Sequence, residues 1–212
     1  MADPADLRAR MVERQLRRRG IRDGRVLAAM GAVPREAFVP AELRHRAYAD
    51  SALPIGAGQT ISQPWIVAAI CQAMELRGGE RVLEIGTGSG YSAAVLARLA
   101  AEVISVERQE SLAATAAETL AALGVANVEV RVGDGSRGVP EWAPYAAIAV
   151  HAAAPAQPPA LLAQLGDGGR LVDPSAAGEA EMLTVLRRRE EGFESAAIGP
   201  CRFVPLIGEE GY

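Results

Sequence analysis

The sequence predicts an α/β fold: a mostly parallel, doubly wound sheet with an antiparallel C-terminal strand and an N-terminal helical extension. Three observations predict it. From about residue 80 onward, short β-branched runs alternate with Ala- and Leu-rich helical stretches, a rhythm that calls for a parallel sheet covered on both faces. The first run leads directly into Gly86, Gly88 and Gly90, at the end of a strand where an open α/β sheet binds its ligand. The last two runs, "EMLTVLRRR" and "CRFVPLI", read as strands with no helix between them, so the sheet is expected to end antiparallel.

In chain order, residues 1–50 read as the helical extension. Leu7, Met11, Val12 and Leu16 follow helical spacing, with Gly20 as the C-cap. Asp23 caps a second helix carrying Val26, Leu27 and Met30, and "VPRE" from Val33 begins a third. Arg14, Arg17, Arg18, Arg19, Arg22 and Arg25 read as a solvated face, because no aromatic residues interleave with them. Residues 51–79 hold "LPIGAGQTISQPW" (53–65) and a helix from Pro64. The stretch reads as a loop, neither apolar enough for a core strand nor periodic enough for a helix, with Ser62 placed to cap the helix.

Residues 80–212 form the expected core of what reads as a single domain. "RVLEIG" (81–86), "EVISVE" (102–107), "VEVRVGD" (128–134), "YAAIAVH" (145–151) and "RLVDP" (170–174) are its strands. Helices are expected over "YSAAVLARLA", over the Ala- and Leu-rich stretch that follows the second strand and ends near Gly124, and from near Pro158 to "GDGG".

Composition narrows the function classes. Half the 212 residues are hydrophobic, 23% are charged and the net charge is −4, which argues against a surface built for nucleic acid or membrane. Every basic residue besides the two histidines is Arg, a bias expected of a GC-rich genome. Cys71 and Cys201 match no metal or redox spacing, and His45 and His151 are too few for a histidine metal centre. No signal peptide or membrane-length apolar run is apparent, so the expectation is a cytoplasmic protein without a bound metal.

The chemistry concentrates around "VLEIGTGSGY" (82–91). Its glycines allow a tight turn and close backbone approach to a ligand. Glu107, at the tip of the second strand, is placed to take two ribose hydroxyls, a feature shared by nicotinamide and S-adenosylmethionine sites. Glu84 leans toward the latter, since an acid suits a ligand carrying an amine and a sulfonium and is awkward beside a pyrophosphate. Asp134 and Gly135 border the same crevice. No G-x-x-x-x-G-K-[ST] motif occurs, so phosphoryl transfer has little support.

With "YADSALPIGAGQTISQP", "VLEIGTGSGY", "VGDG", "APYAAI", "AAAP", "GGRLV" and "RFVPLIG" in this order, the chain resembles the protein-L-isoaspartate O-methyltransferases. The match runs from about Met11 to Gly208, and "GQTISQP" makes it specific. The resemblance implies a Rossmann-like class I S-adenosylmethionine-dependent methyltransferase. Such enzymes methylate the α-carboxylate of L-isoaspartyl residues in damaged proteins and peptides, and the ester collapses to a succinimide. It also implies S-adenosylmethionine as cofactor, S-adenosylhomocysteine as product, and Ser62 as the active-site serine. Thr60, Ile61 and Gln63 would face the acceptor, with Thr60 also on the cofactor. His151 is nominated from its position at the C-terminal end of the fourth strand, as an altered acceptor contact or a pH-sensitive group near the sulfonium, against a hydrogen-bonded filler side chain. Glu84, Gly86, Thr87, Gly88, Gly90, Glu107, Arg108, Asp134 and Gly135 would hold the cofactor. A monomer with an open groove is expected.

The chain departs from the family pattern at Ala146, where an acid is usual, and at His151, where a small residue or Thr is common. It also departs at Asp173, usually apolar, and at Glu181, often Gln. Two alternatives share the cofactor loop: a carboxyl methyltransferase acting on a normal aspartate of a biosynthetic peptide, and a non-catalytic S-adenosylmethionine-binding module. A nicotinamide oxidoreductase is a further alternative.

Overall fold

The computed structural model describes residues 3–177 and 180–212. Its N-terminal part is helical, as the spacing predicts. Helix α1 (Pro4–Met11) is capped by the Asp3 side chain and runs on through a wider turn to Leu16 and a tight turn ending at Gly20. Gly20 adopts φ +92, the left-handed conformation that ends helices. Asp23 caps α2 (Gly24–Ala32), its carboxylate accepting from the Arg25 and Val26 amides. The third expected helix is a single 3₁₀ turn, Arg35–Phe38, with Pro34 at the cap.

The stretch 53–63 differs from the expected loop. It forms an antiparallel hairpin of β1 (Leu53–Gly56) and β2 (Gln59–Ile61), turning at Ala57 and Gly58 with φ of 48 and 71. Two successive positive φ values give the turn whose twist suits a two-residue hairpin. The hairpin stands apart from the main sheet, so only Leu53 and Ile61 need to be buried. Helix α3 (Pro64–Ala73) follows with Pro64 at its first position, but its cap residue is Gln63, and no side chain caps it. The Ser62 cap is thus corrected.

The core alternates β3 (Arg81–Ile85), α4 (Tyr91–Leu96), β4 (Glu102–Glu107), α5 (Glu110–Ala122), β5 (Val128–Val132), β6 (Tyr145–Val150), α6 (Pro159–Ala163), β7 (Leu165–Ala177), β8 (Ala180–Arg189) and β9 (Gly192–Cys201). The sheet order is β5-β4-β3-β6-β7-β8-β9, parallel through β7 and antiparallel for the last two pairings. Two expectations are corrected. "GDGG" lies inside the long β7, not at a helix end. "CRFVPLI" is not a strand: β9 ends at Cys201, and the following segment crosses the sheet end, bridged to it by Pro205 against Ala153. Proline has no N–H for a ladder, and Leu206 instead buries its side chain in the core.

Strand alternation sends side chains to two apolar layers. Val82, Val103, Ala147 and Ala149 meet the layer of α2, α3 and α4, whereas Leu83, Ile85, Ile104, Ile148 and Val150 meet Leu161 and Leu206 on the other face. Asp173 on β7 is 4% exposed and its Oδ1 has no partner. Burial pushes its carboxyl up to about 7. The fold therefore keeps a proton that the unfolded chain releases near its reference value of about 3.9, and stability falls as pH rises from there to about 7. Asp173→Asn is expected to stabilise the protein at about pH 8 by roughly 1–3 kcal/mol and to change little at about pH 4. Urea unfolding of both proteins at the two pH values checks this; an identical pH dependence would rule it out.

Candidate active site

The C-terminal ends of β3, β4 and β6 open into a cleft of about 180 Å³, closed over by the hairpin and by Val204–Ile207. Its floor is the glycine loop. Gly86 and Gly88 take φ of +91 and +55, and a Cβ at either would lie 3.3 Å from His151 Cβ or Ile55 Cδ1 respectively. The loop is therefore bare backbone where side chains would fill the cleft. Across it, the Glu107 carboxylate accepts from the Gly88 and Gln109 amides, each at 2.9 Å. These bonds fix the loop and leave lone pairs on both oxygens for ligand hydroxyls. Gly135 completes the wall; a Cβ there would come within 2.5 Å of Ile85 Cγ2. Among the described residues, Glu107 and Arg108 are the only Asp, Glu or Arg in the lining. A site with this acid and a bare loop fits a nucleoside carrying a sulfonium better than a pyrophosphate.

Of the residues the sequence nominates for the cofactor, Thr60, Gly86, Thr87, Gly88, Glu107, Arg108 and Gly135 line this cleft. Three do not. Gly90, at φ +88, closes the turn onto α5, where a Cβ would sit 3.2 Å from Ala116 Cβ. Asp134 is engaged elsewhere: Oδ1 accepts from the Ser136 amide and hydroxyl, and Oδ2 from the Glu209 amide. Although its burial opposes ionisation, these bonds hold its carboxyl below the ordinary range. Its evident work is to fasten the C-terminal segment. Glu84 is fully buried, because alternation turns it toward α4 and not to the sheet end.

A second cavity of about 210 Å³ adjoins the first, lined by Gln63, Ile66 and the segment Pro200–Val204 among others. Thr60, Ser62, His151 and Val204 belong to both cavities. Ile61 lines only the first and Gln63 only the second, where its amide donates to Asp50 Oδ1 at 2.7 Å.

Sequence reasoning missed what holds Ser62. Arg35 is 0% exposed; its Nε donates to the Ala47 carbonyl and its Nη2 to the Ser62 carbonyl, both at 2.8 Å. Its guanidinium lies 4.8 Å from the centre of the Tyr91 ring, a cation–π contact strengthened by desolvation. Burial lowers its pKa, yet an arginine stays charged. The Arg202–Val204 wall was also missed, because those residues were read as a strand, and Ser92 carried no motif. Among the described residues, no group of three His, Cys, Asp or Glu could hold a metal. Nor is any helix there long and apolar enough to cross a membrane.

Comparison with known proteins agrees with this geometry. A family model described as Protein-L-isoaspartate(D-aspartate) O-methyltransferase matches residues 7–211. The chain is 56% identical over 207 residues to protein-L-isoaspartate O-methyltransferase 1 of Rhodopseudomonas palustris, covering 97% of this chain and 84% of that one. It is 55% identical over 212 residues to the protein-L-isoaspartate O-methyltransferase of Methanoculleus marisnigri, covering 100% and 96%. A solved protein-L-isoaspartate O-methyltransferase superposes with TM-score 0.87 at 30% identity, over 96% of this chain and 67% of that one. A Plasmodium falciparum structure, titled as a putative enzyme of the same name in complex with S-adenosyl-L-homocysteine, shares the fold at TM-score 0.82 and 24% identity, over 98% and 99%. With a match of this extent over the hairpin, the glycine loop and the closing segment alike, the chain belongs to the protein-L-isoaspartate(D-aspartate) O-methyltransferase family.

Proposed function

We propose that this protein transfers the methyl group of S-adenosylmethionine to the α-carboxylate of L-isoaspartyl residues in damaged proteins and peptides, the first step of repair through a succinimide. The observation that carries the reading is the shared wall. A cofactor cleft and an acceptor groove meet at Thr60, Ser62, His151 and Val204, where a methyl group would pass from one to the other. Two cysteines without a disulfide fit a reducing compartment such as the cytoplasm.

When bound, S-adenosylmethionine supplies an electrophilic methyl group on a sulfonium. A carboxylate acceptor with a reference pKa of about 3.9 is already ionised at neutral pH, so the chain need not supply a general base. Its residues have to orient and to exclude water, effects worth roughly 7–11 kcal/mol in well-aligned systems. Glu107 and the glycine backbone fix one partner. Ser62, its carbonyl clamped by Arg35, offers its hydroxyl to the carboxylate as a donor. Among the described residues no histidine bonds the Ser62 hydroxyl, the His151–Glu84 pair engaging Ser92 instead, so Ser62 has no base to make it a nucleophile. The hairpin and Val204–Ile207 cover the reacting atoms.

An isoaspartyl peptide incubated with the protein and labelled S-adenosylmethionine is expected to gain a base-labile methyl ester that its aspartyl twin does not gain. Equal labelling of both peptides, or of neither, would refute the reading. Ser62→Ala is expected to lower turnover about tenfold, the worth of one charge-assisted hydrogen bond, and to leave S-adenosylhomocysteine affinity within about twofold. Equal loss of both would make Ser62 a structural residue.

A further inference from the structure

Glu84 lies opposite Ser105 on β4 and Ala149 on β6 in the sheet register, beneath the cleft. Its Oε2 accepts from the Ser105 hydroxyl at 2.5 Å, and Ser105 is bonded in turn to the Thr87 hydroxyl at 2.6 Å. Its Oε1 makes no hydrogen bond and lies 3.3 Å from His151 Nε2. A carboxylate without solvent needs a counter-charge, and among the described residues His151 is the only cationic side chain within ion-pair distance. The imidazole is anchored by Ser92 Oγ, 2.9 Å from Nε2, and lines both cavities. No described residue bonds its Nδ1. The charged and titratable groups around the pair are Cys71 on α3, beside Glu84 and pushed far up by burial, Tyr91 on α4, Glu107 and Arg108 across the cofactor cleft, and Cys201, pushed up to about 11 by burial, with Arg202 along the acceptor groove.

We propose that Glu84 is the positioning counter-charge that holds His151 as an imidazolium, and that the Nδ1–H of His151 binds the acceptor carboxylate. The proposal rests on the function given above and assigns the acceptor contact within it. An imidazolium donates from both nitrogens, so Nε2–H faces Glu84 and Ser92 while Nδ1–H faces the groove. A neutral ring that keeps its Nε2 proton turns a lone pair toward the carboxylate and loses it. Glu84 also cancels the imidazolium charge, so the pair adds no net positive charge beside a sulfonium. This places Glu84 in acceptor recognition instead of cofactor binding.

The test uses an isoaspartyl peptide without histidine and with an acetylated amino terminus, assayed from about pH 5.5 to about pH 8.5, the range in which imidazoles titrate. The peptide KM of the wild-type protein is expected to rise about tenfold across this range, with S-adenosylhomocysteine affinity flat. His151→Thr should give a high, pH-independent KM. Glu84→Gln should move the rise to lower pH and leave S-adenosylhomocysteine affinity within about twofold. A flat wild-type KM would overturn the proposal. So would Glu84→Gln weakening S-adenosylhomocysteine and peptide equally, because Glu84 would then serve the cofactor. If melting shows Glu84→Gln to be misfolded, the His151→Thr profile decides. Absence of ester at every pH, with S-adenosylhomocysteine still bound, would overturn the function itself and this proposal with it.

Discussion

Arg35→Ala is expected to lower unfolding free energy by roughly 3–5 kcal/mol, from two carbonyls left unpaired at about 1–3 kcal/mol each and the loss of a desolvated cation–π contact, and to abolish methyl transfer. Two carbonyls, of Ala47 and Ser62, would lose their donor. The Tyr91 ring would lose the cation above it. Stability and positioning separate in Arg35→Met, which fills the same volume without charge. Met is expected to recover part of the stability, since apolar replacements of buried ions are often tolerated, and none of the turnover, since nothing would then hold the Ser62 backbone. Urea unfolding and methylation rates on both variants check this. Wild-type turnover in Arg35→Met would show that the clamp does not position Ser62.

Glu107→Ala is expected to raise the S-adenosylhomocysteine dissociation constant about a hundredfold, roughly 3 kcal/mol. Two effects add. The ligand hydroxyls lose a charged acceptor, at about 1.5–3 kcal/mol per bond. The Gly88 amide also loses its partner, so a loop with φ of +91 and +55 at Gly86 and Gly88 is no longer tied down. Glu107→Gln keeps one acceptor oxygen and is expected to lose only about tenfold. Calorimetric titration, with circular dichroism to confirm folding, gives the comparison. An unchanged constant in Glu107→Ala would remove this residue from the site.

What the sequence made legible is what local rules govern. Asp23 and Gly20 announced helix ends through side-chain capping and positive φ, and the β-branched runs announced the parallel strands. The glycine loop and Glu107 could be read because a strand, a turn and a helix start fall within a few residues. Harder to read were features set by distant pairings. The hairpin at 53–61 exists because Leu53 pairs with Ile61 across a turn at Ala57–Gly58, in a stretch with too little alternation to show it. Arg35 looked like an ordinary first-turn residue, because nothing local reveals that Ser62 lies against it. Glu84 and Asp134 were correctly placed at strand ends, yet a single-residue change of strand face buries one. The other is occupied by the Glu209 amide, 75 residues away in sequence.

With cofactor and peptide in the two cavities as proposed, Thr60, Ser62, His151 and Val204 form one wall seen from two sides, and the two binding equilibria are linked. Any factor by which a bound cofactor changes the affinity for peptide must equal the factor by which bound peptide changes the affinity for cofactor. A wall already ordered by one ligand need not be ordered again for the other. The charges that meet there, a sulfonium and a carboxylate, cancel when the methyl group moves. The electrostatic part of this coupling therefore exists only between substrates, and the reaction that consumes them also dissolves the attraction that brought them together.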